Sequence, residues 1–130
     1  MIYDSTPLPA QVAAAADLTT LVGMFELSDG EGLGVSRVVV TPPPGYVTVT
    51  GVATNNATIN VRQLRAGAVV STFATLTLNA GTNLVAETPV SIPVTGSPTI
   101  QQDDVFDAVL HQNGTGLAVG AGLLIEVNIA

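Results

Sequence analysis

The stretch TFATLTLNAGTNLVAETPVSIPVTGSPTIQQDDVFDAVLHQNGTGLAVGAGLLIEVNIA, Thr72–Ala130, holds four runs in which apolar and polar residues alternate, separated by Gly, Asn, Pro and Thr. A side-chain period of two marks a strand with one buried face, and the separators are turn formers. In the last run Leu123, Ile125, Val127 and Ile129 fall on one face, with Glu126 and Asn128 on the other. In Asp104–His111 the inward set is Phe106, Ala108 and Leu110, while Val105, Asp107, Val109 and His111 share the opposite face. Leu84–Val94 reads as one strand broken near Pro89, with Val90, Ile92 and Val94 inward. The first run belongs to a longer strand, Val69–Leu78, that places Ala74, Leu76 and Leu78 inward. The whole stretch is half of an antiparallel β-sandwich.

The preceding residues continue the pattern. Thr58–Leu64 sets Ile59 and Val61 against Asn60 and Arg62, and Tyr46–Val52 sets Val47 and Val49 against Thr48 and Thr50. Val35–Thr41 is a strand stopped by Pro42, Pro43 and Pro44, a run that has no place inside a sheet. Leu21–Ser28 reads as the first strand and Asp29–Gly34 as a loop. About eight strands at short, regular spacing predict an all-β fold, an antiparallel β-sandwich of jelly-roll type. An immunoglobulin-like sandwich is the alternative, without its Cys and Trp markers. A parallel α/β fold lacks the helices for its crossovers. Met1–Pro9, with Pro7 and Pro9, reads as an extended N-terminal arm. Ala10–Asp17 has strong helix propensity but is short, which leaves a short helix, a turn and a flexible tether open. The expected organisation is an arm with an Ala-rich segment over 1–17 and a sandwich domain over 18–130. Such an arm either docks on a neighbouring subunit or is a poorly ordered terminus.

Charge narrows the partners. Ten acids face three arginines and no lysine, for a net charge of -7. Nucleic acid and anionic membrane both need a basic footprint, so neither is an expected partner. With no cysteine there are no disulfides and no thiolate metal site. No apolar run approaches the roughly 20 residues of a membrane helix. The N-terminus lacks the basic start of a secretory signal.

Candidate chemistry is sparse. His111 is the only histidine, and G-x-S-x-G is absent. Asp107 shares its face but stands two strand pairs away, so His111 reads as a strand-end surface histidine or an interface residue rather than a catalytic base. Asp103 and Asp104 are adjacent in the chain and point to opposite faces, so they read as a polar turn opening a strand. Asp29 and Glu31 in DGEG are the better calcium candidates, yet two carboxylates fall short of six to eight oxygen ligands. The glycines at 30, 32 and 34, and at 114, 116, 120 and 122, match no phosphate-binding fingerprint and read as turns. No cofactor and no enzymatic activity are expected. Arg37, Arg62 and Arg65 stand out in an acidic chain, and arginine is enriched in interfaces. Arg62 and Arg65 are candidates to meet carboxylates of a neighbouring subunit, against the plainer reading as surface residues. Aromatic residues are 4% of the chain, so a sugar-binding platform would lack its usual stacking rings.

The segments LTLNAGTNLVAETPVSIPV and TIQQDDVFDAVLHQNGTGLAVGAGLLIEVNI resemble the C-terminal half of small β-sandwich proteins of tailed-bacteriophage virions. The likeness lies in a Gly-Thr turn, the Asp103-Asp104 step before an apolar strand, the Gly-rich turn Asn113–Gly122 and the Val/Ile-alternating last strand. It covers about half the chain, as spacing and composition more than as a diagnostic motif. The resemblance implies a capsid decoration (cement) protein: a homotrimer on the outer capsid surface of the virion, bound to the major capsid protein. It also implies an N-terminal arm that reaches neighbouring subunits, which makes Tyr3, Pro7 and Pro9 candidate interface residues beside Arg37, Arg62 and Arg65. The alternative is a β-sandwich binding module of a fibre or tail, for a receptor or carbohydrate.

Overall fold

The structure, a computed structural model, describes residues 2–8, 17–24, 33–47, 51–79, 84–96 and 98–130. Eight strands run through them: β1 (Ile2–Leu8), β2 (Leu18–Met24), β3 (Val35–Thr41), β4 (Asn56–Arg65), β5 (Ala68–Leu78), β6 (Val90–Ile92), β7 (Val105–Asn113) and β8 (Leu123–Ile129). They form two four-stranded sheets, ordered β1-β8-β3-β6 and β2-β7-β4-β5, with every pair antiparallel. β4 pairs with β5, β3 with β6, β2 with β7 and β1 with β8. The chain is therefore one long hairpin, rolled so that successive rungs fall in alternate sheets. Pairs β3–β8 and β4–β7 then complete each sheet. This winding is the jelly roll that strand number and spacing predict.

The hairpin tip is Ala66–Gly67, both at positive φ (53° and 80°), between the paired residues Arg65 and Ala68. Two left-handed residues give a turn whose twist matches that of the flanking strands. Between the sheets lies one core. Ile59, Val61, Leu78, Phe106, Ala108, Leu110, Leu123, Ile125, Val127 and Ile129 are wholly buried. Phe73 and Phe106 meet edge to face, with centroids 5.6 Å apart and planes at 83°. Phe73 reaches the core through an irregularity. β5 carries an extra residue between Thr72↔Arg62 and Ala74↔Val61, so Phe73 and Ala74, adjacent in sequence, are both buried.

Several boundaries differ from the sequence expectation. Among the described residues of Tyr46–Val52 none lies in a strand; Val47 is exposed and Val52 only bridges to Asn55. Leu84–Val94 is not one strand either. A turn closed by Thr88 N–H to Val85 C=O, with Glu87 at φ 57°, takes its first half, which leaves Val90–Ile92 as β6. The first expected strand lies earlier, at Leu18–Met24, and residues 25–28 are outside the described set. In β5, Leu76 is only half-buried. Residues 2–8 are extended, and they pair along β8 of their own chain from Ile2↔Ile129 to Leu8↔Leu123. β8 would otherwise present a row of unpaired backbone groups, and β1, as an edge strand, tolerates Pro7. Of the Ala-rich segment only Asp17 is described, and it is not helical.

Candidate functional site

β4 and β7 run side by side with Arg62 opposite Asp107. Facing residues of an antiparallel pair share a face, so these two meet on the outside of the sheet. Arg62 Nε donates to Asp107 Oδ1 at 2.8 Å and Nη2 to Oδ2 at 2.6 Å. Three residues further on, just past the last paired residues Leu64 and Val105, Arg65 meets Asp104. An odd step along a strand changes face, so this second pair lies on the inner side, at the end of the sandwich. Arg65 Nε donates to Asp104 Oδ1 at 2.9 Å and Nη2 to Oδ2 at 2.8 Å. Gln63 Nε2 and the Gln101 N–H add bonds to Oδ2 at 2.8 and 2.9 Å, and Arg65 Nη2 also reaches the Thr99 carbonyl at 3.2 Å. The Asp104 side chain has no exposed surface. Burial pushes its pKa up, but the Arg65 guanidinium, the Gln101 N–H and the Gln63 amide together outweigh that and hold it below the ordinary aspartate value.

The outer face of β2-β7-β4-β5 holds an open depression of about 290 Å³, lined by Asp17, Asn60, Arg62, Thr72, Val109 and His111. Asp17, just ahead of β2, clamps the end of β7. Its Oδ2 lies 2.5 Å from His111 Nδ1, and its Oδ1 accepts the Gln112 N–H at 3.1 Å. The His111 hydrogen bond first, then the Gln112 N–H, hold the Asp17 carboxyl below its ordinary range. Asn60 Oδ1 accepts from Thr75 Oγ1 at 2.9 Å. Among the described residues no serine or threonine hydroxyl hydrogen-bonds His111.

The expected site residues divide between the two sheets. Tyr3 stands opposite Asn128 and Pro7 opposite Leu124, both along β8; Pro7 is exposed, and Pro9 lies outside the described residues. Arg37 stands opposite Asn128 from the β3 side, and its Nε and Nη2 donate to Ser91 Oγ at 3.4 and 3.3 Å. Arg62 and Arg65, which the sequence nominates for carboxylates of a neighbour, are each bidentate to an aspartate of their own chain. His111 does have a carboxylate partner, and it is Asp17 rather than Asp107. The sequence reading also missed Gln63, which is wholly buried against Asp104. Its place on the same alternation as Ile59 and Val61 is the signal that marks it as inward. Asp29 and Glu31 are outside the described residues, and among those described no three metal-ligating side chains converge. Of the Gly-rich turn, Gly114 has φ 66°, and a Cβ there would meet the Thr54 carbonyl oxygen.

Compared with known protein families, curated proteins and solved structures, the chain matches none. The site must therefore be judged on its own geometry.

Proposed function

We propose that this chain is a structural virion protein that decorates a phage capsid and braces it by binding the major capsid protein as a homotrimer. The observation that carries the reading is the jelly-roll winding itself, an architecture used by viral capsid and lectin domains. Fold alone is an argument by analogy. Two further features support it. The stretch resembling phage decoration proteins supplies β7 and β8, strands central to both sheets. In addition, three nominated contact residues, Tyr3, Pro7 and Arg37, register against β8 in one sheet, whose outer face also presents Leu124, 38% exposed. Many weak contacts repeated over a shell gain from multivalency. In this reading the chain has no catalytic role, and both Arg–Asp pairs stiffen the body.

The test is sedimentation of the full chain alone and with expanded heads built from the major capsid protein of the same virion. The expected particle has three times the 13.1 kDa chain mass and co-sediments with heads. Arg37→Glu combined with Leu124→Asp should keep the fold and lower head binding by about tenfold or more. A monomer that stays in the supernatant overturns the proposal.

A further inference from the structure

The depression on the outer face of β2-β7-β4-β5 has no task in the reading above. Its polar groups are unequally committed. Both oxygens of Asp17 are taken, by His111 and by the Gln112 N–H, and both oxygens of Asp107 are taken by Arg62. Four groups lining the depression carry no hydrogen bond among the described residues: Arg62 Nη1, Asn60 Nδ2, the Thr72 hydroxyl and His111 Nε2. With Nδ1–H donating to Asp17, Nε2 either accepts or donates, according to whether the ring carries a second proton. The free set is thus a guanidinium donor, an amide donor, a hydroxyl of either sense and a ring nitrogen of either sense. Between them Val109, half-buried, is the single apolar lining residue.

This inventory selects a ligand. An anion would meet the half-exposed Asp17 carboxylate, in a chain of net charge -7. A cation finds no uncommitted carboxylate. A neutral molecule whose closely spaced hydroxyls both donate and accept, with a C–H face to lay on Val109, satisfies all four groups. From this we infer that the depression is a binding site for a neutral saccharide unit. At about 290 Å³ it is below the usual range for drug-sized ligands and suits one sugar ring. Without an aromatic ring to stack on, single-site affinity is in the millimolar range, about 1–10 mM. On an oligomer or a shell, copies of the site add avidity.

The experiment is a ¹H–¹⁵N and ¹H–¹³C titration of the full chain with glucose, galactose, mannose and N-acetylglucosamine. Sodium acetate and sodium phosphate serve as anion arms. The expected result is saturable shifts from at least one sugar, confined to Thr72, the Asn60 side-chain amide, the Val109 methyls and the His111 ring. Thr72→Val should keep the spectrum folded and weaken that sugar about three- to tenfold, whereas Thr88→Val, remote from the depression, should leave it unchanged. The proposal is overturned if none of the four sugars saturates, or if only the anions do. It is equally overturned if the shifts lie on another face, or if Thr72→Val binds as tightly as the parent.

Discussion

The two arginine–aspartate pairs have the same chemistry and similar burial, but different neighbours. Arg62–Asp107 and Arg65–Asp104 sit three residues apart along β4, and along β7 with the residue just before it, each bidentate, each with bonds of 2.6–2.9 Å. The odd spacing sends one to the outer face and one to the inner end of the sandwich. On the outer face the pair is self-contained, with 27% of the Arg62 side chain and 5% of the Asp107 side chain exposed. At the inner end Asp104 is out of solvent and gathers further bonds from Gln63 and Gln101, while Arg65 reaches Thr99. That carboxylate is the knot that holds the segment before β7 onto β4. Neighbours, not residue type, set the difference: one pair links two strands, while the other also gathers Gln63, Gln101 and Thr99.

The comparison breaks most visibly at Asp104. Asp104→Ala leaves Gln63 and the Gln101 N–H without their acceptor and should cost about 3–5 kcal/mol in urea unfolding. Hydrogen-exchange protection at Gln101 should fall with it. An effect no larger than that of Asp107→Ala would show the two pairs to be equivalent. Acid adds a second contrast. Because the folded carboxyl of Asp104 titrates below its unfolded value, its contribution is complete above about pH 4 and is lost as pH falls through the folded value. Asp104→Asn should therefore flatten the stability profile below pH 4, measured as the urea midpoint against pH; Asp17, lowered as well, keeps its own share of the slope in that variant. The smallest effect is expected at Asp107→Ala, about 1 kcal/mol, since the freed Arg62 can turn to water.

Much of the fold was legible in the sequence, and the reason differs from strand to strand. β8 and β3 begin and end where the sequence places them, because Leu123–Ile129 follows a Gly-rich turn and Val35–Thr41 is stopped by prolines. Tyr46–Val52 alternates just as well, yet none of its described residues lies in a strand, since alternation describes a half-buried surface without supplying a neighbour to pair with. β1 shows the converse: Met1–Pro9 reads as an arm, yet residues 2–8 pair along β8, because an edge position needs no N–H from Pro7. The ion pairs were invisible for a further reason. Arg62, Arg65, Asp104 and Asp107 were each noted, but their pairing depends on β4 lying beside β7, and strand order is not written in local pattern. The same holds for His111, whose partner lies 94 positions away in the chain.

The rolled hairpin also has a consequence in time. β4 and β5 meet across a two-residue turn, whereas β8, flanked by β1 and β3, joins residues as distant as Ile2 and Ile129. During synthesis β1 and β3 must wait, with open edges, until the chain has been made to position 129. Sheets assembled from such distant contacts fold slowly, on the order of milliseconds to seconds. While they wait, those edges can pair with another copy of the chain. The rate at which β8 is delivered and captured should therefore set the yield of folded protein more than the depth of its core does.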